Sequence, residues 1–113
     1  MKLLTAIIQP DKLTELKDSL FSVGITKMTV SSVQGCGRQA GYEEAYRGNV
    51  IQVNLLRKVR VDIALNDDSV EPCIEAIISA TRTGKVGDGK IFIRELEECI
   101  RIRTGERGSA AIG

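Results

Sequence analysis

The sequence contains no histidine, and this absence limits the chemistry that the chain can perform. Histidine is the most common general base near neutral pH and the most common metal ligand in proteins. A hydrolytic triad and a structural zinc site are therefore not expected. Aromatic residues are also scarce, at 4% of the chain. The four aromatic side chains are Phe21, Tyr42, Tyr46 and Phe92.

The chain also lacks a large excess of positive or negative charge, and it lacks long apolar runs. The net charge is +1, so no overall field attracts the chain to nucleic acid or to a membrane surface. No apolar run approaches the roughly 18 residues that span a bilayer. The apolar part of the N-terminal MKLLTAIIQPDK is too short, and too soon interrupted by Pro10, for a signal peptide. We expect no direct binding of nucleic acid and no membrane insertion.

The cysteine count of three is odd, and no C-x-x-C pair occurs. This favours reduced thiols in a cytoplasmic protein over a disulfide framework. Cys73 fits a core position, whereas Cys36 is the thiol expected to meet solvent.

The 113 residues suit one domain, and their hydrophobic periodicity predicts its elements. Strands are predicted at 2–9, 25–34, 57–65 and 90–96. One helix begins near Pro10, and its apolar side chains at helical spacing are Leu13, Leu16, Leu20 and Val23; Gly24 is its expected left-handed cap. A second helix carries Val70, Cys73, Ile74, Ile77 and Ile78 on its apolar face, with Asp67, Asp68 and Ser69 as candidate N-caps.

This order of elements predicts a ferredoxin-like βαββαβ sandwich of the α+β class, with an antiparallel sheet and both helices on one face. In the strand at 57–65, the side chains of Val59, Val61, Ile63 and Leu65 alternate with polar ones, as in a half-buried strand. The other sheet face carries enough apolar residues that we expect other subunits to cover it.

The segment TGKVGDGKI, residues 83–91, resembles a nucleotide-binding P-loop only in part. Ile91 stands where a magnesium-binding P-loop needs a hydroxyl, and the segment joins a helix to a strand rather than a strand to a helix. However, glycines at 84, 87 and 89 allow backbone N–H groups to point into one concavity, and Lys90 adds a positive charge. The segment is either a phosphate loop of another kind or a flexible turn.

The segment IRIR, residues 100–103, is predicted to be a short last strand after one helical turn at 96–99. Period 2 would place Arg101 and Arg103 on one face, where two guanidinium groups suit phosphate oxygens. The alternative is a solvated edge strand with salt bridges. The tail from residue 104 is expected to be loose.

The stretch that follows Gly35 is polar, glycine-bearing and without a period for about fifteen residues, which in a compact domain normally indicates function or disorder. Gly35 and Gly37 would let backbone approach a ligand, or would form the neck of a mobile loop. Tyr42 and Tyr46 suit a partner-binding surface, unless their presence there is chance.

Together these stretches resemble the PII family of nitrogen-signalling proteins. The segments that carry the resemblance are VGITKMTV, GCGRQ with the following EE and YRG, TGKVGDGKIF and IRIRTGE; it extends from KLLTAIIQP to RIRTGE. It implies a single domain over residues 1–113 that assembles as a homotrimer and is a non-catalytic signal transducer. It also implies a T-loop at about 36–55, a B-loop at about 82–90 and a C-loop at about 101–108.

The resemblance implies ATP or ADP in clefts between subunits. The residues expected at the phosphates are Gly87, Asp88, Gly89 and Lys90, with Arg101 and Arg103 from the neighbouring subunit. Those expected around the adenine, the ribose and the loop base are Ile7, Thr29, Gly35, Gly37, Arg38, Gln39, Asp62 and Ala64. The second implied ligand is 2-oxoglutarate, bound through Mg²⁺; Gln39 matches the metal ligand, Lys58 pairs with a carboxylate, and Gly41 and Gly87 complete the contacts.

The T-loop is implied to dock on an ammonium transporter, glutamine synthetase or a transcription regulator. Its expected contact residues are Tyr42, Glu44, Tyr46, Arg47, Asn49 and Ile51. Many bacterial members carry a uridylylated tyrosine at the position of Ile51, and cyanobacterial members a phosphorylated serine at that of Asn49, so neither modification is expected. Asp62 replaces a usual glutamate, and Lys27 a common glycine, near the nucleotide pocket.

Two other functions fit the predicted fold. A phosphate-ester hydrolase would need a positioned nucleophile or base, but histidine is absent and Asp88 suits a turn. An RNA-binding module would need aromatic side chains on the sheet, whereas two of the four lie in the long loop and Phe21 lies on a helix.

Overall fold

The computed structural model describes residues 1–36, 46–47, 50–51 and 54–113, with backbone pairing alone for 46–47 and 50–51. The strands are β1 Lys2–Ile8, β2 Thr29–Gly35, β3 Tyr46–Arg47, β4 Val50–Ile51, β5 Leu56–Leu65 and β6 Gly89–Glu95. The helices are α1 Leu13–Ser22, α2 Val70–Thr81 and α3 Ser109–Ile112, with 3₁₀ turns at Pro10–Lys12 and Asp67–Ser69.

Four strands form one antiparallel sheet in the order β2-β5-β1-β6. The two long βαβ halves thus place β1 and β5 in the centre, and the predicted ferredoxin-like βαββαβ arrangement is confirmed. β3 and β4 pair separately and antiparallel, Tyr46 opposite Ile51, within the stretch predicted to be a long loop.

The core lies between one sheet face and the paired helices α1 and α2. The alternation of β5 is confirmed, since its four aliphatic residues at 59, 61, 63 and 65 are all buried. Leu16 and Leu20 of α1 meet Cys73 and Ile77 of α2 in the same cluster, whereas Val23 remains 45% exposed because the helix has ended. Complete burial of a leucine side chain such as that of Leu16 or Leu20 stabilises the fold by about 1.5–3 kcal/mol.

The sequence predicts the capping at the C-terminal end of α1 better than the capping at the N-terminal end of α2. At the end of α1, Gly24 has φ +82° and donates its N–H to the Phe21 carbonyl, while Ile25 N–H reaches the Leu20 carbonyl. This is a Schellman motif, and the predicted glycine cap is confirmed. At the start of α2, Ser69 occupies the N-cap position, as one of the three predicted candidates, but no side chain makes a capping hydrogen bond there. The Asp67 carboxylate instead accepts a hydrogen bond of 2.8 Å from the N-terminal ammonium.

The C-terminal region departs from the prediction. Residues 96–99 form no helical turn, and the segment IRIR is not a strand, since its single bridge joins Ile100 to Arg107. The backbone turns back on itself: Gly105 N–H donates to the Arg101 carbonyl at 2.7 Å, and Arg101 N–H donates to the Glu106 carbonyl at 2.9 Å. The tail is not loose either, because it ends in α3.

Candidate functional site

A cleft of about 450 Å³ opens where the ends of β1 and β2 meet the start of β5 and the loop that follows α2. Its lining residues are Ile7, Gly35, Cys36, Leu56, Lys58, Val86, Gly87, Gly89, Lys90 and Phe92. Six of them are predicted ligand-contacting residues: Ile7, Gly35, Lys58, Gly87, Gly89 and Lys90. These six come from four separate parts of the chain, since the last three belong to one segment.

The glycine-bearing loop over this cleft is organised by Asp88. Its carboxylate accepts hydrogen bonds from the backbone N–H groups of Thr83 and Gly84, at 2.8 and 2.9 Å, and from the Thr83 hydroxyl. The hydroxyl and the Thr83 N–H hold the pKa of the Asp88 carboxyl below its usual range. Asp88 does not line the cleft. It fixes the loop from behind, as the turn residue that the sequence favoured.

Gly89 begins β6 in a conformation that only glycine adopts easily. Its φ is +111°, and a Cβ there would lie 1.8 Å from the Ile7 carbonyl oxygen. The close approach sets the register in which Lys90 stands opposite Ile7. A lysine is thereby brought to the cleft beside the end of β1.

The Gly87 carbonyl joins the loop to the sheet. It accepts a hydrogen bond of 2.8 Å from Gln9 Nε2 and one of 3.3 Å from Lys58 Nζ. A Cβ at Gly35 would meet Lys58 Cγ at an ordinary contact distance of 3.5 Å. Lys58 is therefore held between the loop and the end of β2.

The cleft combines positive charge with an apolar wall. Lys58 and Lys90 are its ionic groups, and its described lining has no carboxylate. Leu56, Val86 and Phe92 supply apolar surface that sequence reasoning had not assigned; Val86 and Phe92 are 56% and 52% exposed. Strand alternation could have assigned Phe92 to the cleft, because it places Phe92 on the sheet face away from the helices. Such a cleft suits an anion that also carries a planar or apolar part.

A second group of predicted nucleotide residues lies elsewhere on the chain. Thr29 stands opposite Asp62 across β2 and β5. The Asp62 carboxylate accepts hydrogen bonds from the Thr5 hydroxyl at 2.5 Å and from Arg60 Nε at 3.0 Å. Asp62 is four residues along β5 from Lys58, which is about 13 Å at the usual rise of a strand. The lining of the lysine-bearing cleft includes none of these three residues, Thr29, Asp62 and Ala64.

One of the two predicted phosphate-binding arginines, Arg101, adjoins this second group. Arg101 donates from Nη1 to Glu106 at 2.7 Å and from Nη2 to the carbonyls of Ala110 and Gly113, both at 3.1 Å. The Thr104 hydroxyl, and then Arg101, hold the pKa of Glu106 below its usual range. Arg103 is exposed. Gly113 and Ala64 line one shallow groove, so the C-terminal segment adjoins the far end of β5.

The remaining predicted site residues lie outside the described residues. These are Gly37, Arg38, Gln39, Gly41, Tyr42, Glu44 and Asn49, while only the backbone pairing of Tyr46, Arg47 and Ile51 is described. In the described ranges, no group of three or more cysteine or acidic residues is placed to hold a metal ion. None of the helices described there has the length and hydropathy to cross a membrane.

Fold and cleft together define a small ferredoxin-like α+β domain with a lysine-bearing cleft. Residues 1–106 match the family model of nitrogen regulatory protein P-II. The chain is 52% identical over 112 residues to nitrogen regulatory protein P-II of Pasteurella multocida, and 50% identical over 112 residues to nitrogen regulatory protein GlnK of Escherichia coli K12. Each alignment covers 99% of this chain and 100% of the relative.

The chain therefore belongs to the nitrogen regulatory protein P-II family, and the resemblance inferred from its motifs is confirmed. It is a non-catalytic signal-transduction protein, as the sequence predicted, and not an enzyme.

Proposed function

We propose that the cleft binds the phosphates of ATP or ADP. The observation that carries this proposal is the convergence of Lys58 and Lys90 with the Gly87–Lys90 backbone in one cleft with an apolar wall. Phosphate oxygens suit lysine ammonium groups, and Asp88 does not oppose them from within the lining because its carboxylate bonds to the loop's own N–H groups.

The nucleotide site is shared between subunits of a homotrimer. The cleft lining does not include Thr29, Asp62, Ala64, Arg101 or Arg103 of the same chain, and in this proposal a neighbouring copy supplies them. Two further observations support assembly. Ile102 is 99% exposed and Ile100 49% exposed, and among the residues that the structure describes, no helix covers the sheet face that carries Phe92. Exposed apolar surface of this kind marks interaction sites.

2-Oxoglutarate is the second ligand. Lys58 would pair with one of its carboxylates beside Gly87, with Gly41 as a further contact and Gln39 as the protein ligand of Mg²⁺. Magnesium would supply a hard, six-coordinate centre for phosphate and keto-acid oxygens. Because Lys58 bonds to the Gly87 carbonyl, one side chain touches both proposed subsites, and binding of the two ligands is then coupled.

The output of the protein is nitrogen regulation through the T-loop. The relatives are named nitrogen regulatory proteins, and we extend that role to contact with an ammonium transporter, glutamine synthetase or a transcription regulator. The contact residues would be Tyr42, Glu44, Tyr46, Arg47, Asn49 and Ile51. Because positions 49 and 51 carry asparagine and isoleucine, ligands rather than uridylylation or serine phosphorylation set the signal.

Calorimetric titration tests this function. The protein is titrated with ATP and Mg²⁺, then with 2-oxoglutarate in the presence and absence of the nucleotide. We expect ATP to bind, and 2-oxoglutarate to bind only after Mg-ATP. The Lys90→Met variant should lose at least tenfold in ATP affinity, whereas Lys85→Met, an exposed lysine of the same loop outside the cleft lining, should not. Equal affinities in the two variants would refute phosphate binding at this cleft.

A further inference from the structure

The last five residues of the chain are fastened to its body by side chains from three other segments. Lys27 Nζ donates to the Gly113 carbonyl at 2.7 Å, and Asn66 Nδ2 donates to the Ser109 carbonyl at 3.3 Å. Arg101 Nη2 donates to the carbonyls of Ala110 and Gly113. Residues 109–113, named here the C-terminal strap, therefore lie along a groove of about 180 Å³ that Ile112 and Ala64 help to line.

These contacts occupy the guanidinium group of Arg101. Nη1 is bonded to the Glu106 carboxylate and Nη2 to two strap carbonyls, and the side chain is only 28% exposed. A guanidinium grips a phosphate best through two parallel N–H···O bonds. Arg101 cannot present such a pair of free N–H groups to a ligand while the strap and Glu106 hold both terminal nitrogens.

The strap also brings two positive side chains to one oxygen atom. Lys27 and Arg101 both donate to the Gly113 carbonyl oxygen. Two like charges at this separation repel each other, and their shared acceptor offsets part of that repulsion only while the strap stays in place. A phosphate group offers several acceptor oxygens and would compete with the strap for the same two donor side chains.

We propose that the C-terminal strap is an internal competitor of the nucleotide: it holds Arg101 in the resting chain and leaves the groove when a nucleoside di- or triphosphate takes the guanidinium. The inference rests on the proposed nucleotide function and adds its regulation. Nucleotide affinity is lowered by the fraction of chains in which the strap is docked. Lys27 is the tether that sets this fraction, so the strength of its bond to Gly113 tunes the sensor.

The test compares ATP affinity, by calorimetry, in the full chain and in a chain that ends at Ser109. Removal of residues 110–113 takes away two acceptor oxygens and the three hydrogen bonds that they accept, and it leaves Arg101 and Lys27 in place, so we expect ATP to bind about threefold or more tightly. Lys27→Met should shift affinity in the same direction. Lys17→Met is the control, because it removes the same charge from an exposed site on α1.

A second readout separates competition from a merely structural strap. Hydrogen exchange of the backbone amides in 109–113 of the full chain should accelerate when ATP saturates the site, since the strap leaves its groove. If ATP binds but the shortened chain shows equal or weaker affinity, or if exchange in the strap slows, competition is refuted while nucleotide binding stands. If neither chain binds ATP, the proposed function fails and the competition fails with it.

Discussion

The ammonium group of Lys58 lies 3.3 Å from the carbonyl oxygen of Gly87, so a strand of the central sheet is bonded directly to the glycine-bearing loop. Gln9 Nε2 donates to the same oxygen at 2.8 Å. The loop therefore does not move independently of β5, and a ligand that takes Lys58 alters a contact of the phosphate loop.

Replacement of Lys58 should separate the two proposed ligands. Lys58→Met removes the charge that would meet a carboxylate, so we expect 2-oxoglutarate affinity in the presence of Mg-ATP to fall at least tenfold. Gln9→Leu removes the other hydrogen bond to Gly87 without a change of charge and should leave 2-oxoglutarate binding within about threefold of the parent. Calorimetry of both variants measures this, and equal losses would assign the effect to loop position rather than to charge.

Gly89 should tolerate no side chain. In Gly89→Ala the Cβ would meet the Ile7 carbonyl oxygen at 1.8 Å, so strand β6 must shift, at a cost of about 3 kcal/mol or more in free energy of unfolding. Gly84→Ala is the matched control, because its φ is also positive, at +85°, but open space surrounds it. Its strain alone should cost about 1–2 kcal/mol. Urea unfolding measures both, and similar losses would contradict the close approach.

The cysteines should differ in their reaction with a thiol reagent. Burial raises the pKa of the Cys73 thiol to about 11, so at pH 8 only about one molecule in a thousand is a thiolate, and its sulfur is also inaccessible. Exposed Cys36 should react first, and ATP should slow it because Cys36 lines the cleft. A colorimetric thiol assay follows this, with Cys36→Ser as the control. An unchanged rate at saturating ATP would place the nucleotide elsewhere.

Asp88 should make the loop sensitive to acid. Its folded-state pKa is depressed, so its hydrogen bonds stabilise the fold fully above the unfolded value near 4, and this contribution is lost as pH falls through the lower folded value. Asp88→Asn should therefore be less stable than the parent at pH 6, with the difference narrowing below about pH 4. The midpoints of urea unfolding of the parent and of Asp88→Asn, measured from pH 6 to below pH 4, test this prediction. A difference in midpoint that does not change with pH would show that the carboxylate charge is not involved.

A site shared between subunits should recover when two defective chains are mixed. Arg103→Ala and Lys90→Met each remove one half of the proposed site, and each alone should bind ATP poorly. In mixed trimers some interfaces join an intact Lys90 to an intact Arg103, so ATP affinity at those sites should return to the parent value. Co-expression followed by calorimetry tests this. Failure to recover would indicate that both residues act in the same chain.

Sequence reasoning predicted those features that periodicity and special residues specify. The alternation of β5, the helix faces and the cap at Gly24 follow from local sterics and burial, which act over a few residues. From its own glycines and lysine, the segment 83–91 allowed either a phosphate loop or a flexible turn, so phosphate binding there stays a prediction. Strand pairing was not predictable for IRIR, because alternation specifies the faces of a strand but provides no partner for its backbone groups.

By itself, the sequence determined the ferredoxin-like element order and the family, and it singled out Gly87, Gly89 and Lys90 where the loop joins β6. Only the tertiary structure decided which groups meet there. It placed the Lys58 ammonium group on the Gly87 carbonyl, and it directed the Asp88 carboxylate to the backbone N–H groups of Thr83 and Gly84. It also placed the Arg101 guanidinium group in hydrogen bonds with the C-terminal strap. Contacts between distant segments depend on packing and register, which no local pattern encodes.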